Sequence, residues 1–333
     1  MADGRRPAEA LGAVVAVSLL PLWREDLQRR LPPGVELIMA DALPAQERDA
    51  ALARADVLIS VSFDAALAAK CPRLGLIVCP AAGTEEIDRS AFPADTIFVS
   101  GAGQEIPIAE HALGGLIALR HHLLEADRAL RQGVWAYGFH QPRSYIEELY
   151  GSMLGLIGFG RIGKEIVKRA AAFGMQCRAV TLHPERAPRM PEAPASVAAL
   201  ADSSAVDALV RESDAVVVCC ELSPLTRGML DARRLGLMKR DAVLVNVARG
   251  PIAVERDLYE ALRERRIAGA ALDVWYRYPE NPGDRVLPAN LPFWELDNVI
   301  MTPHCSGWTR PARDRKLEQI AGVIADFARA RSA

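Results

Sequence analysis

Three features of this sequence could do chemistry together. The run Gly158-Phe159-Gly160-Arg161-Ile162-Gly163 follows a short apolar stretch at 153–157 and opens a helix-like stretch at 164–173. Strand, G-x-G-x-x-G and helix in that order suit a pyrophosphate: Gly158 permits a tight turn, Gly160 keeps a Cβ out of the phosphates' way, and Gly163 allows close helix–strand packing. The positive end of the helix would face the anion. His304 comes just after the apolar run 299–302, and Arg249 just after 242–247. An imidazole both takes and gives a proton near neutral pH. A guanidinium holds a carboxylate through its planar fork and polarises a neighbouring keto oxygen. All three sit where strands end, which is where open α/β sheets place their ligands.

The elements that must position them follow from patterning. Apolar runs rich in Val, Ile and Leu recur at 13–17, 35–39, 57–61, 76–79 and 97–100, with amphipathic stretches between them. This is the signature of parallel strands buried on both faces. A second series occupies 153–157, 177–180, 215–219, 242–247, 268–274 and 299–302. The expected fold is α/β, with two doubly wound parallel-sheet lobes: a flavodoxin-like substrate domain (1–107 with 307–333) and a Rossmann dinucleotide-binding domain (108–306). Between the series, 108 to about 132 reads as one long helix ending near Gly133. The final amphipathic helix, with Leu317, Ile320, Ala321, Ile324 and Phe327, is expected to pack back on the first lobe. The proline-rich stretch 276–294 reads as a loop.

Taken together, five segments resemble the D-isomer-specific 2-hydroxyacid dehydrogenases, the group with phosphoglycerate, glycerate, D-lactate and formate dehydrogenases. They are Ile108-Ala109-Glu110-His111, the glycine run, Leu222-Ser223-Pro224-Leu225-Thr226-Arg227-Gly228, Val245-Asn246-Val247-Ala248-Arg249-Gly250, and Thr302-Pro303-His304 before Cys305-Ser306-Gly307. The resemblance runs from about residue 74 to the C-terminus. It implies hydride transfer between NAD(P) and a small 2-hydroxy or 2-keto acid, with His304 as general acid/base and Arg249 binding and polarising the substrate. It also implies a cofactor set of Gly158, Gly160, Arg161, Ile162, Gly163, Thr181, His183, Arg186, Leu222, Ser223, Thr226, Val247, Ala248 and Asp273. Ala82, Gly83, Thr84, Gln104 and Trp308 fall to the substrate, and a homodimer is implied.

Four departures stand out. Tyr278 occupies the place before Pro279 where most relatives carry the glutamate that holds the imidazole. A neutral phenol can orient an imidazole but cannot stabilise imidazolium as a carboxylate does. The readings are a dyad with Tyr278, a substitute acid such as Glu280, or a formate-like reaction that moves no alcohol proton. Second, the strand 177–180 leads into Thr181-Leu182-His183-Pro184-Glu185-Arg186 with Arg189 behind it, and no carboxylate ends the strand. That favours NADP slightly over NAD. Third, Gln104 stands where asparagine is usual, and Glu221 where a proline is usual. Fourth, the aromatics Trp135, Tyr137, Phe139 and Trp308 suggest a specialised substrate or packing.

A net charge of -2 gives no nucleic-acid footprint, and no run approaches eighteen apolar residues, so no membrane partner is expected. The six cysteines never fall at C-x-x-C spacing. Buried reduced thiols, no metal and a cytoplasmic setting are the expectation. A competing function is a nicotinamide-sensing scaffold of the corepressor kind, which resembles the same family.

Overall fold

A computed structural model describes residues 13–17, 19–81, 83–140, 145–187, 194, 196–281 and 283–332. The chain divides into two compact units, 1–104 with 309–333, and 105–308. In chain order the first unit begins β1 (Ala13–Ala16), α1 (Arg24–Gln28), β2 (Glu36–Met39), α2 (Ala45–Ala53), β3 (Ala55–Ile59), α3 (Ala65–Lys70), β4 (Leu76–Cys79) and β5 (Ile97–Ser100). The second contains α4 (Glu105–Arg120), α5 (Leu123–Arg131), β6 (Met153–Ile157), α6 (Arg161–Ala172), β7 (Gln176–Thr181), β8 (Ser196–Ala199), α7 (Ser203–Glu212), β9 (Ala215–Val218), α8 (Ala232–Leu235), β10 (Val243–Asn246), α9 (Glu255–Arg263), β11 (Gly269–Leu272) and β12 (Val299–Met301). Helix α10 (Arg310–Ser332) returns to the first unit.

The first sheet is parallel in the order β2-β1-β3-β4-β5, the flavodoxin-like arrangement. Every residue of β1, β3 and β4 is buried because both faces are covered. On one face, Val14, Val57, Ile59 and Val78 meet Leu317, Ile320 and Ile324 of α10. On the other, Val15, Leu58 and Ile77 meet Leu52 of α2 and Phe63. Thr309 Oγ1 caps α10 by accepting from the Ala312 N–H at 3.2 Å.

The second sheet is also parallel, in the order β12-β11-β10-β9-β6-β7-β8. Its order reverses between β6 and β9, the switch point where a doubly wound sheet opens for a ligand. Helix α6 buries Gly163, Ile166, Val167 and Ala170, one face at helical spacing. Asp202 and Asp231 cap α7 and α8 through backbone N–H groups. Truncating Ile157, fully buried in this sheet, to alanine would cost about 2–5 kcal/mol.

Two expectations are corrected. The long helix is two: α4 ends at Arg120 and α5 begins at Leu123, with His122 between them at φ +50°. The break has a tertiary cause. Glu147 N–H donates to the Arg120 carbonyl at 3.0 Å, and the His122 ring stacks on Tyr137 at 4.2 Å. The second sheet has seven strands, not six, since β8 pairs with β7 at its edge. The described residues of loop 276–294 are irregular apart from a short turn at Phe293–Glu295. Among the described residues no helix is long and apolar enough to cross a membrane.

Candidate active site

The centre of the site is a carboxylate. Asp273 follows β11 and is 1% exposed. Its Oδ1 accepts from Thr302 Oγ1 at 2.6 Å and from the Cys305 N–H at 2.9 Å, and its Oδ2 accepts from the Ser306 N–H at 2.9 Å. Burial alone would raise its pKa, but these donors outweigh it and hold the carboxyl below its ordinary 3.8. The turn they fix carries His304, whose φ of +55° is left-handed. That conformation costs a non-glycine residue about 1–2 kcal/mol, which charge-assisted bonds to Asp273 offset. Trp275 Nε1 also donates to the Thr302 carbonyl at 2.8 Å. His111 of α4 completes the support: its Nε2 lies 3.1 Å from Thr302 Oγ1. Since the Thr302 hydroxyl donates to Asp273, its oxygen is left to accept from His111.

Tyr278 lies beside the imidazole, ring centroids 5.7 Å apart and planes tilted by 55°. Its phenol oxygen accepts from the Trp275 N–H at 3.0 Å. Burial pushes its pKa above 10, a push that Asp273 reinforces and that the Trp275 N–H and the Arg249 charge oppose, so the phenol is neutral near pH 7. Glu280 is exposed and makes no ion pair among the described residues.

Arg249 follows β10 and is half-buried. Asn246 brackets it: Asn246 Nδ2 donates to the Arg249 carbonyl at 3.0 Å, and Asn246 Oδ1 accepts from the Ala248 N–H at 3.0 Å. Arg249 Nη1 donates to the Ala248 carbonyl at 2.7 Å. The next residue must be glycine, because a Cβ on Gly250 would lie 2.3 Å from the Trp275 carbonyl oxygen. The Arg249 turn is thus pressed against the residue whose N–H holds Tyr278.

The glycine run occupies the switch point. Gly158, at φ +111°, approaches so closely that a Cβ would lie 2.6 Å from Cys220 N, and one on Gly163 would lie 2.9 Å from the Gly158 carbonyl. A Cβ on Gly160 would meet nothing within 4 Å. Gly160 is also the N-cap of α6 and supplies no side-chain cap, which leaves the helix N-terminus, with Arg161 and Ile162, suited to an external anion. These residues therefore fit the pyrophosphate of a dinucleotide. Thr181 ends β7 and His183 is exposed, its Nδ1 3.2 Å from Glu185 Oε1. Arg186 closes a short turn, while Arg189 lies outside the described residues. On the other side of the switch, Thr226 is fully buried and ties Ser223 to itself through Oγ1 at 2.8 Å, beside half-buried Leu222. Val247 and Ala248 are buried past the end of β10.

In the first unit, Gly83 and Thr84 follow β4; Cys79 Sγ lies 3.7 Å from the Ala81 and Gly83 carbonyls. Ala82 lies outside the described residues. Gln104 Oε1 accepts from Lys316 Nζ at 3.2 Å. Trp308 is exposed, and its N–H donates to the Cys305 carbonyl in the histidine turn. Trp135 and Phe139 pack on His140, and Tyr137 on His122. Of the supports, His111 and Thr302 stand in motifs quoted from the sequence but with no role of their own, and Lys316 in none, since each matters only through a partner far along the chain. The cysteines are all free, but only Cys71, Cys79 and Cys177 are buried; Cys219, Cys220 and Cys305 are partly exposed. Among the described residues no group of three metal-ligating side chains gathers.

Residues 113–306 match the family model for the D-isomer specific 2-hydroxyacid dehydrogenase NAD binding domain. A glyoxylate reductase of Thermococcus kodakarensis is 34% identical over 276 residues, covering 81% of this chain and 78% of its own. A D-isomer specific 2-hydroxyacid dehydrogenase of Xanthobacter autotrophicus, solved with NADPH and MES, is 26% identical with a TM-score of 0.71, covering 96% of each chain. A formate dehydrogenase of Staphylococcus aureus, solved with NAD, is 26% identical with a TM-score of 0.70, again over 96% of each. With the glycine run at the switch point of its second sheet, the chain belongs to the D-isomer specific 2-hydroxyacid dehydrogenase family of nicotinamide-dependent oxidoreductases.

Proposed function

We propose that this protein is an NADP(H)-preferring reductase of small 2-keto acids, with His304 as its proton donor and Arg249 as its carboxylate receptor. The observation that carries the reading is the clamp on Asp273, which fixes the His304 turn beside Tyr278. A dihydronicotinamide held there would supply the hydride. Arg249 holds the acid's carboxylate and draws charge towards its keto oxygen. As that oxygen becomes an alkoxide, protonated His304 gives it a proton; in the oxidative direction neutral His304 removes it. Tyr278 stays neutral and orients the imidazole. Asp273, which holds the histidine turn through three hydrogen bonds, would keep that turn beside a bound nicotinamide. Gly158, Gly160, Arg161, Ile162 and Gly163 would hold the pyrophosphate, and Thr181, His183 and Arg186 are assigned to the adenosine ribose, where the missing acid would favour a 2′-phosphate. Leu222, Ser223, Thr226, Val247 and Ala248 line the rest of the cofactor's path. Ala82, Gly83, Thr84, Gln104 and Trp308 make up the remaining acid-binding set, and the working form is a homodimer.

The test is turnover of NADPH and NADH, followed by nicotinamide absorbance, with glyoxylate, hydroxypyruvate and pyruvate, and of the oxidised cofactors with formate. Reduction of at least one keto acid with a lower KM for NADPH is the expected result. Equal use of NADH removes the cofactor preference. Formate oxidation without keto-acid reduction assigns the Tyr278 site to a reaction with no proton relay.

A further inference from the structure

Lys316 of α10 is a cation with no carboxylate paired to it among the described residues. Its ammonium lies 5.6 Å from the centre of the Trp23 ring, and it donates to Gln104 Oε1 at 3.2 Å. The neighbour that favours its charged form is the Cys79 sulfur. Burial lowers its pKa, which marks a cation held partly out of water without a compensating anion. Natural folds seldom keep such a group unless a ligand completes it.

Its bond to Gln104 fixes more than a distance. Lysine has donors only, so the amide atom facing it must be the oxygen. The Gln104 NH2 group is therefore turned the other way, and it donates to no protein atom among the described residues. The loop carrying Gln104 is also stitched to α10: Arg315 Nε donates to the Gly103 carbonyl at 2.9 Å, and Gln319 Oε1 accepts from the Ala102 N–H at 2.6 Å. That loop packs on the one after β4, where the Gly101 N–H donates to the Ala81 carbonyl at 3.2 Å.

We propose that Lys316 is a positioning residue for the acid substrate: it locks the Gln104 amide with its NH2 group free for an oxygen of a small anionic keto acid, and adds an unopposed positive charge beside it. The inference rests on the 2-keto acid reading above. It also accounts for the glutamine at a place where asparagine is usual, since the longer side chain is the one that meets Lys316.

The test uses the full-length protein with glyoxylate and NADPH. Lys316→Met is expected to raise the KM for glyoxylate about ten-fold, with kcat within two-fold and the NADPH dissociation constant unchanged; Lys316→Arg, which keeps charge and donor, restores most of the KM. Because Lys316 acts through Gln104, the double variant Lys316→Met with Gln104→Met loses no more than Gln104→Met alone. Additive losses, an unchanged KM, or a fall in kcat, cofactor affinity and Tm together overturn the inference. Should the wild type reduce no keto acid, the dehydrogenase reading fails on its own, and calorimetric binding of oxalate decides. Oxalate bound by wild type and at least ten-fold more weakly by Lys316→Met supports Lys316; equal binding, or none to wild type, overturns it.

Discussion

At the scale of residues, the site is a set of polar groups spent on one another so that a few remain for a ligand. Asp273 commits three lone-pair contacts to Thr302, Cys305 and Ser306, and thereby holds His304 in a left-handed turn. Asp273→Asn keeps the shape but turns an NH2 group towards a backbone donor, so we expect kcat/KM to fall about 10- to 100-fold with His304 still present. A steady-state comparison with His304→Ala checks this, the latter losing about 100- to 10,000-fold while still binding cofactor. The pH dependence follows from sign. A carboxyl whose folded pKa lies below its unfolded value stabilises the fold above the unfolded value, and loses that contribution as pH falls through the folded one. Asp273 is of this kind, so the His304 turn should survive down to about pH 4. An acid limb of activity above that pH in the wild type, unchanged in Tyr278→Phe, then belongs to neither Asp273 nor the phenol. Histidine, arginine and glycine were legible as candidates because their chemistry shows in type and spacing. The role of Asp273 was not, because its partners lie 29 to 33 residues away.

At the scale of elements, the turn from β6 into α6 separates two kinds of glycine. A Cβ on Gly158 would strike the backbone of Cys219 and Cys220, and its φ of +111° disfavours any side chain. Gly158→Ala should therefore lower stability by about 1–3 kcal/mol, read as a fall in Tm without ligand. Gly160 has neither constraint. Gly160→Ala should leave the Tm of the free protein nearly unchanged and weaken NADPH binding at least ten-fold by calorimetry; unaltered binding would remove this turn from the cofactor site. Strands were legible because burial on both faces demands continuous apolar runs. Strand β8 was not: Ser196-Val197-Ala198-Ala199 is short and alanine-rich, and becomes a strand only because β7 offers a free edge.

At the scale of the molecule, each unit has its own two-sided core, and the segment from α5 to β6 leaves large apolar groups in water. Phe139 is 95% exposed, Tyr145 80% and Tyr150 79%, with Leu130 and Trp135 more than half exposed. So many exposed aromatics in one segment of a monomer call for a covering surface. The homodimer proposed above would supply it, and light scattering after gel filtration should then give twice the chain mass of 36.1 kDa. Phe139→Asp should shift the population towards the monomer; an unshifted dimer places the interface elsewhere.

What the order of residues determined was the class of fold and the identity of the chemical groups, because hydrophobic period and glycine spacing are local properties that strands, helices and turns must obey. What tertiary structure decided was how those groups are held. The break at His122, the clamp on the His304 turn and the lock on Gln104 each depend on hydrogen bonds between residues remote in the chain, and such bonds leave no periodic trace in sequence.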